Sequence, residues 1–320
     1  MSLGHISRLH KAQVNLNDME ASSKSTTSLP DCRNLDVTVS FPKKSLICWN
    51  VSMFLFHTAF ASMTLVMGNG ELRAPLYRTE LTFVRKNMSD PNVDVNSPNF
   101  ELVPKYVESG YLPLTILVSV FFFLSAFAHF GNAVLWRKFY EYELERCRVT
   151  TRWIEYFFSA PLMILLVGYN AGVREYLLLF SLAGLIASTM PFGYITELLA
   201  EPASESTWTR SVGYRVVSHL LGYIPQMVAW LVILINFYEE DTGGVDQSPP
   251  AFVYVIIWLQ LILFFSFGVV QVVQIMLPPN VFYKGEIAYQ WLSLISKGLL
   301  GSLLLANVLV LGSFEEIYQN

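Results

Sequence analysis

Seven long apolar runs divide the chain, roughly Leu46–Met67, Tyr111–Leu135, Trp153–Val173, Tyr176–Leu199, Val212–Phe237, Phe252–Met276 and Ile287–Gly312. Each reaches the about 20 residues a helix needs to cross a bilayer. A segment inside lipid must satisfy its own backbone, so these runs predict helices. The ten-residue alternation of an outer-membrane barrel does not recur between them. The expected fold class is an all-α membrane protein, a seven-transmembrane-helix bundle spanning residues 46–313. Residues 1–45 are polar and rich in Ser, Thr and Asn, and read as a disordered tail. Because the first apolar run follows this tail, no ordinary cleaved signal peptide is expected. The first connection, about 68–110, holds two strand-like stretches, Leu76–Val84 and Phe100–Val107, separated by Asn, Asp, Pro and Ser. It predicts a small antiparallel ribbon over one face of the bundle.

Composition agrees with this division. Hydrophobic residues make up 53% of the chain and charged residues 14%, against about a quarter charged in soluble domains. The distribution of basic residues sets the orientation. With the N-terminus in the cytoplasm, the inner connections carry Arg137, Lys138, Arg146, Arg148, Arg152, Arg210, Arg215 and Lys284, and the short outer ones carry only Arg174. The long first connection has further cations, but long loops cross largely regardless of charge. The expected localisation is thus a multi-pass protein of the plasma membrane, N-terminus cytoplasmic, with 314–320 as an extracellular tail. Cys32, Cys48 and Cys147 then lie on the reducing side, so free thiols are expected. The sequon Asn87-Met88-Ser89 lies outside and could carry a glycan in a eukaryotic host.

One residue breaks the apolar pattern decisively. Lys297 stands mid-way along the seventh run and is the only lysine or arginine expected deep within a span. An ionised lysine there is costly, which marks a functional site. A lysine in apolar surroundings can present a free amine to an aldehyde and form a Schiff base. A protonated imine needs a counter-charge, and Glu155 near the start of the third run supplies one. Other ionisable groups fall on the cytoplasmic side of the midplane: His57, His129, Arg152 and Glu197. They suggest a polar cavity opening inward from the imine. No Gly-rich phosphate loop, metal-spaced His/Cys cluster or nucleophile–base pair occurs, so neither an enzyme nor a metal site is expected.

Two motifs carry a family resemblance. Arg152-Trp153-Ile154-Glu155-Tyr156, continuing to Ser159-Ala160-Pro161-Leu162-Met163, resembles the third helix of microbial rhodopsins, and Ser293-Leu294-Ile295-Ser296-Lys297-Gly298 resembles their retinal-binding seventh helix. The inverted topology, glutamate counterion, long first extracellular loop, a histidine in each of the first two helices, and a serine one turn before the lysine narrow this to the heliorhodopsins. The resemblance implies all-trans-retinal bound covalently to Lys297, with Glu155 as counterion and Ser293 hydrogen-bonding nearby. It places Tyr156, Ser159 and Met163 along the chromophore, with Phe264, or its neighbour Phe265, as a ring-side wall. Each also has a plainer reading: Tyr156 and Met163 as core packing, His57 and His129 as hydrogen-bonded core residues rather than proton acceptors, Glu197 as an interfacial acid, and His219 as structural.

Related light-driven pumps hold a second acid where Ser293 stands and a proton-donor carboxylate where Leu166 stands. Their lack here suggests slow reprotonation, suited to a sensor. The first expectation is a light-sensing photoreceptor that signals to a cytoplasmic partner. The alternative is a light-activated ion channel or transporter using the His and Glu cavity, and a membrane enzyme or non-retinal receptor has little support. The resemblance also implies a homodimer in the lipid bilayer. No nucleic-acid partner is expected.

Overall fold

The computed structural model describes residues 37–85, 100–242 and 249–310. The chain divides after Asp36, and all described residues belong to the second unit, Val37–Asn320. Most of the polar tail, the sequon at Asn87 and residues 311–320 lie outside the described residues.

Seven long helices form the unit: α1 (Lys43–Met67), α2 (Leu114–Phe130), α3 (Thr150–Asn170), α4 (Tyr176–Leu199), α5 (Val212–Thr242), α6 (Ala251–Met276) and α7 (Phe282–Leu304). They pack in sequence order, and α7 returns against α1 to close the ring. Six are long and apolar enough to cross a membrane on composition alone. The seventh, α3, carries Arg152, Glu155 and several hydroxyls, and 13 of its 21 residues are buried inside the bundle. Apolar side chains such as Leu55, Phe180, Leu220 and Ile262 are exposed on the outside, as expected of helices solvated by lipid. The interior is built from residues such as Phe121, Phe122, Ile164, Leu166 and Trp230.

Helix boundaries move where tertiary contacts outweigh hydropathy. Helix α1 starts at Lys43, ahead of its apolar run, and Lys43 pairs with Glu145 at 2.8 Å. The stretch before it is packed too: Val39 is buried and its N–H donates to the Glu145 carbonyl at 2.9 Å. Tyr111–Pro113, expected as helix, belongs to a strand, and α2 follows Pro113. Helix α7 starts at Phe282, five residues before the apolar run, which brings Glu286 into the helix.

The ribbon pairs β1 (Arg73–Arg85) with β2 (Phe100–Pro113) in antiparallel register, from Arg73 opposite Pro113 to Arg85 opposite Phe100. A bulge falls between Leu76 and Tyr77, and Gly110 beside it takes a φ of 151°, open to glycine but not to other residues. Ala74, Leu76 and Leu112 are buried in the core, and the Tyr77 N–H donates to the Arg174 carbonyl at 2.9 Å, tying the ribbon to the α3–α4 turn.

At the other end of α2 the helix closes with a π-helical turn, Gly131–Leu135. Trp136 donates its N–H to the Gly131 carbonyl and folds its indole over that glycine, where a Cβ would lie 1.8 Å from the ring. The turn redirects the chain into a short helix, Arg137–Leu144, that carries Tyr140 into the bundle. Cys147 follows in a left-handed conformation at φ 56°. It is a free thiol, as is Cys48, and burial pushes the Cys147 pKa up.

Candidate functional site

On α7 the residues Glu286, Tyr289, Gln290, Ser293, Ser296, Lys297, Leu300 and Leu304 are all buried. Their spacing places them on the inward face of one helix. Lys297 is 2% exposed and is the only buried lysine among the described residues. Its Nζ donates to Glu155 Oε1 at 2.7 Å and to Ser293 Oγ at 3.0 Å. Ser125 on α2 donates to the same Glu155 oxygen at 2.7 Å, and the amine lies 5.2 Å from the centre of the Tyr156 ring. Two buried charges are tolerable because each meets the other and is further hydrogen-bonded.

Lys297 opens on a cavity between the helices that holds about 770 Å³ of empty space, counting the part that reaches the surface. Tyr156, Ser159, Met163 and Phe264 all line it. Phe264 packs edge-on against Trp230 at 5.5 Å, whereas Phe265 stacks on Tyr223 and does not line the cavity. The walls are mostly apolar, with a primary amine at one side. That fits a long apolar aldehyde such as retinal, which would be held at Lys297 and flanked by these side chains.

His57, His129, Arg152 and Glu197 form a second cluster. His57 and His129 stack with ring centres 5.6 Å apart and planes 7° from parallel. His57 is fully buried and neither ring nitrogen has a hydrogen-bond partner. His129 Nδ1 lies 2.9 Å from Asn50 Oδ1. Asn50 donates to the Tyr140 hydroxyl at 3.3 Å, and Tyr140 donates to Glu286 Oε1 at 3.1 Å. Arg152 then pairs with both Glu286 and Glu197, and its guanidinium lies 3.9 Å over the Tyr289 ring. Glu197 is no interfacial acid: it is 1% exposed and also accepts from the Val149 N–H at 2.9 Å. One hydrogen-bonded chain thus joins His129 to Glu197 through four intervening residues on four other elements.

Sequence reasoning missed several members. Glu286 stands seven residues before Ser293 and eleven before Lys297, a helical spacing that would have flagged it had the seventh run been started earlier. Ser125 precedes His129 by one turn. Asn50 and Tyr140 carry no such signal, since only the π turn after α2 brings Tyr140 inward. Lys297 is also not alone as a buried cation: Arg152 and Arg215 are buried as well, inside α3 and α5 rather than in connections. Arg215 caps the Ile275 carbonyl of α6. His219 lines the cavity and bonds Gln271 across to α6.

Solved structures with the same fold include the proton-pumping rhodopsin AR2 from the marine alga Acetabularia acetabulum, at 15% identity and a TM-score of 0.55, covering 89% of this chain and all of that one. The light-driven proton pump LR (Mac) from Leptosphaeria maculans matches at 13% identity and 0.53, covering 84% and 97%. Xanthorhodopsin, a light-driven ion pump with dual chromophore, matches at 13% and 0.54, covering 82% and 92%. At these identities the likeness establishes the rhodopsin fold. No curated protein gives a significant sequence match. The heliorhodopsin family profile matches residues 46–309, from the first apolar run of α1 to the turn that follows α7, and the chain belongs to the heliorhodopsin family.

Proposed function

We propose that this protein is a light-sensing photoreceptor in which all-trans-retinal is bound as a protonated Schiff base to Lys297, with Glu155 as its counterion. The observation that carries it is the buried Lys297–Glu155 pair, 2.7 Å apart at the wall of a largely apolar cavity. Retinal, when bound, supplies light absorption and a change of shape. The protein's own residues do the rest. Glu155 holds the positive charge at Nζ, Ser293 and Ser125 orient that pair, and Tyr156, Ser159, Met163 and Phe264 confine the polyene. His57 and His129 offer ring nitrogens for a proton leaving Nζ, and the Asn50–Tyr140–Glu286–Arg152–Glu197 chain spreads the resulting charge.

The orientation follows from basic residues, with the N-terminus cytoplasmic and the C-terminus extracellular. His129, Glu286 and Glu197 then face the cytoplasm, toward a signalling partner, with the protein acting as a homodimer. Ser293 and Leu166 stand where pumps hold acids, which supports a slow photocycle over transport. The test is reconstitution: apoprotein mixed with all-trans-retinal gives a visible absorption band, and light evokes no current under voltage clamp. Absence of the band refutes the retinal site. A light-evoked current favours the second reading, a light-activated proton channel, for which the hydrogen-bonded chain is the supporting observation.

A further inference from the structure

His219 lines the chromophore cavity without taking part in the Lys297 pair or the cytoplasmic chain. It is 6% exposed. Its Nδ1 lies 2.8 Å from Gln271 Oε1, and Gln271 Nε2 donates to the Gly193 carbonyl at 2.6 Å. A backbone carbonyl can only accept, so the Gln271 amide is held with its oxygen toward the histidine. Nδ1 must then carry the proton, and a neutral ring presents Nε2 as a bare acceptor. Nε2 is buried and has no hydrogen-bond partner. Gly268 on α6 makes room for this edge: a Cβ there would stand 2.2 Å from the Tyr223 hydroxyl oxygen and 3.3 Å from His219 Cε1. The cavity that this edge faces is lined mostly by apolar side chains such as Ile186, Met190 and Phe192, with Tyr223 beside the histidine. An acceptor without a partner in such a wall favours an occupant that brings a donor.

We propose that His219 and Gln271 form a recognition subsite for a hydroxyl on the ring of the chromophore, so that the pocket takes a ring-hydroxylated retinal in preference to retinal. This rests on the attachment at Lys297 proposed above. With the aldehyde end on α7, the rest of the polyene extends toward the helices that close the other side, where His219 on α5 and Gln271 on α6 meet Gly193 on α4. The hydroxyl donates to Nε2, and no covalent step is involved.

The test is a competition. Apoprotein is offered equal amounts of all-trans-retinal and its 3- or 4-hydroxy derivative, and the bound retinoids are released with hydroxylamine and quantified. Wild type should retain one of the hydroxylated forms over retinal by about tenfold, near what one good hydrogen bond gives. The corresponding ring ketone, similar in size but able only to accept, should do no better than retinal. In His219→Leu the ratio of hydroxylated to plain retinal released should fall to about one. Equal retention of hydroxylated and plain retinal by the wild type overturns the subsite, as does a ketone retained as well as the alcohol, or a preference that survives in His219→Leu. If that variant does not fold, the alcohol–ketone comparison in the wild type decides. Failure of every retinoid to form pigment overturns the attachment at Lys297, and the subsite with it.

Discussion

A buried amine and a buried carboxylate stabilise each other only while both are present, because removing one leaves the other's charge desolvated and unpaired. Lys297 and Glu155 are such a pair, and their separate losses should be read differently. Lys297→Ala removes the imine former, so retinal added to the apoprotein should give no visible band, while the protein still inserts in the membrane. A coloured variant with covalently held retinal would place the linkage elsewhere. Glu155→Gln keeps the amine but removes the charge that stabilises the protonated imine. The visible band should shift to the red or collapse to the ultraviolet, and the pH at which it is lost should move acid by about one to three units. An unchanged titration in chloride-free buffer would assign the counterion to another group. Arg152 serves two acids at once. Arg152→Gln leaves Glu197 and Glu286 buried beside a neutral residue, with an expected loss of about 3–5 kcal/mol in stability, read as a lowered melting temperature of the pigment. An unchanged melt would mean the acids find other partners.

At the scale of elements, the helices were legible because lipid demands long, uninterrupted apolar runs, and their ends were less so. Helix α7 begins in the polar stretch Phe282-Tyr283-Lys284-Gly285-Glu286, which hydropathy discards. It is helical there because Gln274 on α6 donates to the Phe282 carbonyl at 2.9 Å and Glu286 pairs with Arg152. The start of α2 was set too early for the opposite reason: Tyr111 and Leu112 are apolar enough for a span, yet they pair with Pro75 and Ala74 in the ribbon. Close packing between elements gives a further test. A Cβ at Gly301 on α7 would lie 2.5 Å from the Phe122 ring on α2. Gly301→Val should therefore cost about 1–3 kcal/mol, visible as a lower melting temperature. A neutral result would show that Phe122 can turn away.

At the scale of the whole molecule, seven spans force the termini onto opposite faces, and the basic residues choose which. A tag at the N-terminus should be reachable only after permeabilising the cell, and one after Asn320 on intact cells. Labelling of the N-terminal tag on intact cells would reverse the orientation. The membrane class, the seven helices and the ribbon were legible in the sequence itself, each by a local rule, length of apolar run or alternation, while the motifs around Glu155 and Lys297 were legible as a family resemblance. Which polar groups meet was decided only by the tertiary structure. Asn50, Tyr140, Arg152, Glu197 and Glu286 come from α1, the short helix after α2, α3, α4 and α7. No spacing along one chain segment encodes their contact. They converge because a bundle closed in lipid has one place where buried polar groups can satisfy each other, its interior, and the register of each helix against its neighbours selects which of them arrive there.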